Sequence, residues 1–507
     1  MSTLIHLLTF IDSMQSRLFG NVAEPVAINH TDTSLIETTA FNENKMTRKG
    51  ERTFIIGVGC TAFIKPRGLR TTEEMGLEAV TKALLDAGIT YDEVEAAFVG
   101  YCYGDSTAGQ RALYQLGMTG IPISNVNNNC STGSTALYNA SNLIRGGLAS
   151  CVLALGFERM ARGSLGTNFP DRESPVKVFN DASFELEESL SAGQNHGPGA
   201  PRMFANGAQE YFDKYGANIK HLAQIASKNH KHSVNNPYSQ FRDGWSVEQV
   251  LAAPQINKQL TKFMCSPTSD GAACNIVASE EFVRKHGLEN QAIEIVAQAL
   301  TTDEPIAFES KSAMEVVGYG MSKNAADQVF AQAGLHGRAG RDQVGVVELH
   351  DCFAANELLT YDALGLCEPG EAHKMVERGD NTYGGKYVIN PSGGLEAKGH
   401  PLGATGLGMH FYITMQLRQW AGAMQAPGLL DGPDGRGKYG LVHNIGLGGA
   451  VVCSLLRRPE FFKEGGEDGR KRLGYNHAQE CRPISRADVD KVKARKSSQY
   501  ILQRAKL

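Results

Sequence analysis

Several features are scarce or missing in this chain of 507 residues, and each absence excludes a class of protein. No apolar run approaches the roughly 18 residues that a membrane-spanning helix needs. None of the ten cysteines forms a Cys-x-x-Cys pair, and in so long a chain this argues against a disulfide framework or a structural zinc site. The 50 basic and 54 acidic residues give a formal charge of −4, so there is no global positive field to hold nucleic acid or an anionic membrane.

Glycine is abundant instead, with 56 residues, which indicates many tight turns and close backbone contacts. The apolar run at 54–59 predicts a buried strand, a helical pattern follows at 72–88, and the run at 96–100 predicts another strand. This alternation predicts an α/β domain with a mostly parallel sheet. A second alternating series covers 293–456. The helices predicted after Ser131 and Ala404 are a faint internal repeat of one another.

Changes in composition divide the chain into five expected parts. They are an N-terminal extension at 1–51, a first half at 52–158 and 268–290, an inserted loop domain rich in Asn, Gly, Pro and Ser at 159–267, a second half at 291–460 and a charged C-terminal tail at 461–507.

Cys130 stands where an extended segment ending in three asparagines turns into a helix that begins near Ser131. Unpaired N–H groups at a helix start favour a thiolate, so the position predicts a nucleophile. A small buried side chain is the alternative. His400, held between Gly399 and Pro401 on a loop that leads into a helix, could face a cleft as the general base for a thiol. The alternative for His400 is a structural role.

Two further strand ends carry polar or glycine-rich motifs. His350 and Cys352 follow the predicted strand at 344–349, where they could donate a hydrogen bond and move a proton. Zinc binding is the rival reading, but no further ligands stand at a suitable spacing. The strand predicted at 441–445 runs into Gly446 and further glycines, whose backbone N–H groups could stabilise an anionic oxygen. A plain tight turn is an equal alternative.

Apart from these four motifs the chain has a cluster of histidines, which we expect to form a solvated basic face, with contact to a substrate phosphate as the alternative. Its members are His221, His230 and His232.

Taken together and in this order, the four motifs resemble those of the thiolase superfamily, specifically the sterol-carrier-protein type, over about 52–458. The resemblance implies a thiolase fold: two similar α/β halves with mostly parallel central sheets plus an inserted loop domain. It also implies acyl transfer between a thiolate and coenzyme A, with Cys130 as the nucleophile and His400 as its activating base. Asn444 stands where ordinary thiolases have their acid/base cysteine, and a His-Asp-Cys-Phe motif replaces their Asn-Glu-Ala-Phe, a swap that the sterol-carrier type shares.

The same resemblance implies that Cys352 is the acid/base and that His350 donates, beside His400, to one oxyanion hole. The backbone N–H groups of Cys130 and Gly446 would form the other. Coenzyme A is then a co-substrate, and neither a permanently bound cofactor nor a metal is expected.

We therefore expect thiolytic cleavage of a 3-oxoacyl-CoA to acetyl-CoA or propanoyl-CoA, in fatty-acid or branched-chain degradation or in the reverse condensation. A retro-aldol lyase of thiolase ancestry and a non-catalytic acyl-CoA-binding protein are the alternatives. Retention of Cys130, Cys352 and His400 counts against both. Residues 461–507 show no core pattern, so a lipid-carrier domain is not expected.

The last three residues, Ala505-Lys506-Leu507, differ by one from the Ser-Lys-Leu peroxisomal address and end a tail that we expect to be solvated. They predict import by the peroxisomal receptor into a peroxisome-type organelle, including a glycosome. The apolar start at 4–11 leaves a mitochondrion as the alternative. The expected partners are acyl-CoA, CoA and, from the resemblance, further copies in a homodimer or homotetramer.

Overall fold

The computed structural model describes residues 50–160, 169–432 and 434–496. The elements of the first half are β1 Thr53–Cys60, α1 Thr72–Ala87, β2 Ala96–Gly100, α2 Ala108–Leu113, β3 Ile123–Val126, α3 Thr132–Arg145 and β4 Cys151–Glu158. The excursion that follows holds α4 Lys177–Glu185, α5 Gly199–Tyr215, α6 Ile219–Ser233 and α7 Val247–Leu251. The chain then returns through β5 Gly271–Ser279 and α8 Glu280–Lys285.

The second half repeats the alternation of strands and helices. Its elements are β6 Ile293–Thr301, α9 Ile306–Glu309, α10 Ala313–Val316, α11 Tyr319–Gln332, α12 Gly337–Arg341, β7 Val344–Glu348, α13 Ala354–Ala363, α14 Ala372–Glu377, β8 Val388–Ile389, α15 Gly394–Lys398, α16 Leu402–Arg418, β9 Tyr439–Gly446 and β10 Ala450–Arg457. Two short helices follow, α17 Gly469–Leu473 and α18 Arg486–Val492.

The ten strands of the described residues form one sheet in the order β3-β2-β4-β5-β1-β6-β10-β9-β7-β8. Read outward from the central β1–β6 pair, the two halves have the same order, which confirms the α/β fold of two similar halves. Within each half four of the five strands run in one direction, as expected, and among the described residues β5 and β10 run the opposite way. The two halves join through the antiparallel pair of β1 with β6, so the sheet as a whole is mixed. The three-residue connection from β9 to β10 permits only the antiparallel pairing found there.

The strands predicted at 54–59 and 96–100 are confirmed as β1 and β2, and the helix predicted at 72–88 is confirmed as α1. That helix starts with a capping box between Thr71 and Glu74 and ends at Gly88 in a left-handed conformation. Every residue of β1, β4 and β5 is buried, as expected for strands covered on both faces.

The two helices of the internal repeat, α3 and α16, pack against each other beneath the sheet. Glycine makes the close approach possible. A Cβ atom on Gly406 would lie 2.2 Å from Oγ of Ser134 and 2.4 Å from Oδ1 of Asn444. The start of each helix is therefore held beside the start of the other, and the loops that precede them meet.

His221, His230 and His232 are buried, so the expected solvated face was wrong. His221 accepts a hydrogen bond from the N–H of Asn218, His230 bonds the carbonyl oxygen of Phe263 and His232 bonds that of Asn390. Burial lowers the pKa of His230 to about 4 and that of His232 to about 3. His230 and His232 are therefore neutral, and the three side chains belong to the core rather than to a phosphate-binding face.

The segment at 461–496 packs against the first half rather than lying free in solvent. Both α17 and α18 contact α1, and the side chains of Val489 and Val492 are buried although the surrounding sequence is charged. No helix within the described ranges is long and apolar enough to cross a membrane. The predictions made for residues 1–49 and for Ala505-Lys506-Leu507 concern residues outside the described ranges.

Candidate active site

Three buried side chains from separate loops meet beside the starts of α3 and α16. Cys130 precedes α3, His350 follows β7 and His400 precedes α16. One potential ligand atom from each lies within 4.8 Å of those of the other two. The two imidazole rings are 5.0 Å apart between centroids and nearly perpendicular, at 81°. The fold thus brings together a thiol and two imidazoles that are far apart in the sequence.

The asparagines before Cys130 shape its loop. Asn129 has a φ of 51°, a left-handed conformation that asparagine tolerates better than most residues. Its N–H bonds Oδ1 of Asn127, and its side chain donates 2.9 Å across to the carbonyl oxygen of Leu447 in the second half. A Cβ atom on Gly446 would lie 2.1 Å from the carbonyl oxygen of Asn128. The glycine therefore allows the end of β9 to approach the cysteine loop.

The protonation state of the Cys130 thiol differs from the one that the sequence predicts. Burial and the nearby carboxyl of Glu158 raise its pKa to about 12, although a hydrogen bond from its own N–H lowers it. The thiolate predicted from the helix start is therefore wrong for the resting site, because α3 begins only at Thr132 and desolvation outweighs its N–H groups. Cys130 is a neutral thiol that needs a base before it can attack.

His400 has the environment of such a base. Its N–H donates to Oγ of Ser269, and its Nδ1 lies 2.7 Å from Oγ1 of Thr405. The Thr405 hydroxyl donates its hydrogen to the carbonyl oxygen of Pro401, so it accepts from Nδ1–H of His400. Nε2 then carries a lone pair, and it is buried without a hydrogen-bond partner among the described residues. Burial and Lys398 lower the pKa of His400 to about 3, so the ring is neutral.

His350 is held by the turn that follows β7. Its carbonyl oxygen accepts a hydrogen bond from the side chain of Asn356, and the next residue, Asp351, accepts the N–H of Leu395 at 2.7 Å. On the ring itself, Nδ1 lies 2.9 Å from the side-chain nitrogen of Asn444. Burial and then His400 hold the pKa of His350 well below its ordinary range. This ring is therefore neutral as well.

Cys352 follows on the same turn and is buried, with its carbonyl oxygen accepting the N–H of Ser266 at 2.9 Å. Burial, and next the proximity of Cys130, hold its pKa well above the ordinary thiol range. It lies outside the set of three atoms that meet within 4.8 Å. In the resting site Cys352 is thus a neutral thiol that can give up a proton rather than take one.

The three central side chains could also be considered as a metal site, since Cys and His are zinc ligands. A neutral histidine that binds zinc through one ring nitrogen donates the N–H of the other to an acceptor. Nδ1 of His350 instead faces the side-chain nitrogen of Asn444, so binding through Nε2 would set two donors against each other. The carboxylates of Asp351, Glu357 and Glu396 also lie close together, but Lys228 is ion-paired with Glu357. Neither cluster fits a resident metal.

Sequence reasoning missed one buried group beside the nucleophile. Glu158 ends β4, and its carboxylate accepts the backbone N–H groups of Cys102, Tyr103 and Gly403 at 2.9–3.0 Å. It therefore ties the start of α16 to the loop after β2. A charged residue at the end of an otherwise apolar strand is the signal that could have identified it. Burial outweighs the three donors and raises the pKa of Glu158 to about 7.

This raised pKa gives a testable pH dependence. A carboxyl whose pKa rises from 4.5 to about 7 on folding contributes stability that is complete below about pH 4.5 and is lost as the pH rises to 7. Glu158→Gln cannot titrate, so the stability of the wild type relative to this variant should fall by about 3 kcal/mol over that window. Urea unfolding of both proteins from pH 4 to 8 measures the difference. A difference that stays constant across the window would contradict the assignment.

Comparison with known proteins places this geometry in context. Residues 53–250 match the family model described as the thiolase N-terminal domain, and residues 307–450 match the model of the thiolase C-terminal domain-like family. Sterol carrier protein 2 of Rattus norvegicus is 53% identical over 409 residues, which are 80% of this chain and 72% of the rat protein.

Two solved structures share the fold. The Ltp2–ChsH2(DUF35) aldolase has a TM-score of 0.64 and 20% identity, covering 81% of this chain and 98% of the matched one. Human mitochondrial 3-ketoacyl-CoA thiolase has a TM-score of 0.57 and 19% identity, covering 80% and 98%. At these identities the likeness concerns the fold alone.

Proposed function

The chain belongs to the thiolase family, and on that premise we propose that it is an acetyl-CoA or propanoyl-CoA C-acyltransferase. It would cleave a 3-oxoacyl-CoA with CoA to acetyl-CoA or propanoyl-CoA and a shortened acyl-CoA, reversibly. The observation that carries the proposal is the meeting of one protonated thiol with two neutral imidazoles. CoA is the co-substrate, and no permanently bound cofactor is required.

In the first half-reaction, the Cys130 thiol gives its proton to Nε2 of His400 as its sulfur attacks the 3-oxo carbonyl carbon. The raised thiol pKa and lowered imidazole pKa disfavour a resting ion pair, so the proton moves only as attack proceeds. His350 and the protonated His400 would donate to one carbonyl oxygen, and the N–H groups of Cys130 and Gly446 to the other. The carbon–carbon bond breaks, and the released α-carbon takes its proton from Cys352.

The site then holds an acyl group on Cys130, a protonated His400 and a thiolate at Cys352. An incoming CoA thiol gives its proton to Cys352 and attacks the acyl carbon. The sulfur of Cys130 leaves and takes back the proton from His400, so both cysteines and the histidine return to their starting states. The raised pKa of Cys352 keeps its thiol protonated until the first step, in which the released α-carbon takes the proton.

The test is the CoA-dependent loss of enolate absorbance from acetoacetyl-CoA and from a longer 3-oxoacyl-CoA. We expect the absorbance to fall only when CoA is present, with formation of two thioesters. Cleavage of a 3-hydroxyacyl-CoA without free CoA would indicate the lyase alternative. Tight binding of acyl-CoA with no turnover of any of these substrates would indicate the non-catalytic alternative.

We also propose a homodimer or homotetramer in a peroxisome-type organelle, with a mitochondrion as the alternative. The proposed targeting signal is Ala505-Lys506-Leu507, which the import receptor would recognise. A fluorescent fusion that lacks these three residues should stay outside the organelle, whereas the full chain enters. Import of the truncated fusion would refute this address, and light scattering at the 54.8 kDa monomer mass would refute the oligomer.

A further inference from the structure

Asn444 lies between the nucleophile and His350, and the reaction steps above make no use of it. It is on β9 and fully buried. Its side-chain nitrogen lies 3.1 Å from the carbonyl oxygen of Cys130 and 2.9 Å from Nδ1 of His350. One amide group thus joins the loop of the nucleophile in the first half to an active-site ring in the second.

The contacts fix which way the amide points. A backbone carbonyl oxygen can only accept a hydrogen bond, so the atom of Asn444 beside Cys130 must be the nitrogen. The side-chain oxygen of Asn444 points the other way, to the space left by the missing side chain of Gly406. The two amide hydrogens are then directed to the carbonyl of Cys130 and to Nδ1 of His350.

This orientation determines where His350 carries its proton. A ring nitrogen that accepts a hydrogen bond bears a lone pair, and a neutral imidazole has one proton to place. The proton of His350 is therefore on Nε2. At His400 the partner is the acceptor Thr405, so the proton is on Nδ1 and the lone pair on Nε2. The two rings are held in opposite tautomers by their neighbours.

We infer that Asn444 is a positioning residue that fixes His350 as its Nε2–H tautomer, which makes this ring a hydrogen-bond donor to a substrate carbonyl oxygen. His400 keeps its Nε2 lone pair for the thiol proton. The inference rests on the proposed function for the identity of the substrate oxygen, but not for the tautomer. Because an acceptor at position 444 would reverse the tautomer, the side chain must donate there, which a hydrophobic residue of similar size cannot do.

The first test reads the tautomer directly on the full chain. Proton–nitrogen correlation spectra of [¹⁵N]histidine-labelled protein distinguish protonated from unprotonated ring nitrogens. His350→Gln identifies the signals of His350 among the 14 histidines. We expect Nε2 protonated and Nδ1 unprotonated in the wild type, and Nδ1 protonated in Asn444→Asp, whose carboxylate accepts. A wild-type ring protonated on Nδ1, or an unchanged ring in Asn444→Asp, would overturn the inference.

The second test compares two substitutions at about two pH units above the ordinary imidazole pKa. Asn444→Asp keeps the size of the side chain but reverses the tautomer, so kcat should fall about 10²–10³-fold with little change in KM. Asn444→Ala removes more volume but imposes no tautomer, so its loss should be smaller. If Asn444 only filled space, alanine would be the more damaging change, and that order would overturn the inference.

Asn275→Asp is the matched control, because Asn275 is an equally buried asparagine on β5 that donates to Leu407 and does not contact His350. It should leave the His350 signals unchanged. A wild-type protein without thiolase activity would refute the proposed function, while the spectra would still decide the tautomer. The two failures are therefore distinguishable.

Discussion

Cys130→Ala is expected to lower the rate of 3-oxoacyl-CoA cleavage by about 10⁴-fold or more, because it removes the sulfur to which the acyl chain is transferred. Exchange of labelled CoA into acetyl-CoA should be lost to the same extent. That exchange needs only the thiol and the base, since Cys130 takes the acetyl group while the proton passes through His400 and back. The variant should fold normally, because a buried cysteine behaves as a small apolar side chain.

Cys352→Ala should separate the two reactions. Cleavage should fall about 10²–10⁴-fold, the usual contribution of a general acid, because the released α-carbon lacks its proton donor. Exchange of CoA into acetyl-CoA makes no carbanion and should stay within a few-fold of the wild-type rate. Absorbance at the enolate band and radiolabel exchange measure the two rates on the same preparation.

Cys453→Ala is the control for both variants, since Cys453 is a fully buried free thiol on β10 that is not among the site residues. It should keep both activities. Cleavage by Cys352→Ala at the wild-type rate would assign the proton step to another group. Exchange by Cys130→Ala at the wild-type rate would remove the acyl-enzyme from the mechanism.

The turns and helices of this site can be predicted from the sequence better than the protonation states of its side chains. The Gly-His-Pro turn and the helix after Cys130 are local patterns, so their positions follow from short-range rules of turn and helix formation. The protonation of Cys130 depends instead on burial by distant segments. Desolvation of the thiol outweighs the helix start, and no periodicity in the sequence reports how deeply a loop is covered.

The same limit explains the histidines of α6 and the two strands, β5 and β10, that run opposite to the others of their halves. A dense group of polar letters such as Lys231 and His232 suggests a solvated surface, yet His232 is paired with a carbonyl 158 residues away. Parallel and antiparallel strands have the same apolar pattern when both faces of the sheet are buried. The role of Asn444 is hidden for a similar reason, because its partners come from two other loops.

Arg418 is the residue whose loss should most damage stability. It ends α16, the helix whose first turn follows His400, and it is buried with an ion pair of 2.8 Å to Asp86 on α1. It also donates to the carbonyl oxygens of Gln291 and Ile56. The contacts with Asp86 and Ile56 join the second half to the first. Removing one member of a buried pair leaves the other charge unpaired, so Arg418→Met should lower the free energy of unfolding by about 3–5 kcal/mol.

Adding Asp86→Asn to that variant should recover part of the loss. The amide oxygen can still accept the N–H of Val58, which Asp86 bonds at 2.9 Å, but it leaves no unpaired charge. Lys323→Met is the matched control on the surface, where the pair with Asp327 is half exposed and worth about 1 kcal/mol or less. Chemical unfolding of the four proteins measures the series. Equal losses in Arg418→Met and Lys323→Met would show that the buried pair does not hold the halves together. The position of the site at the other end of α16 would then depend on apolar packing alone.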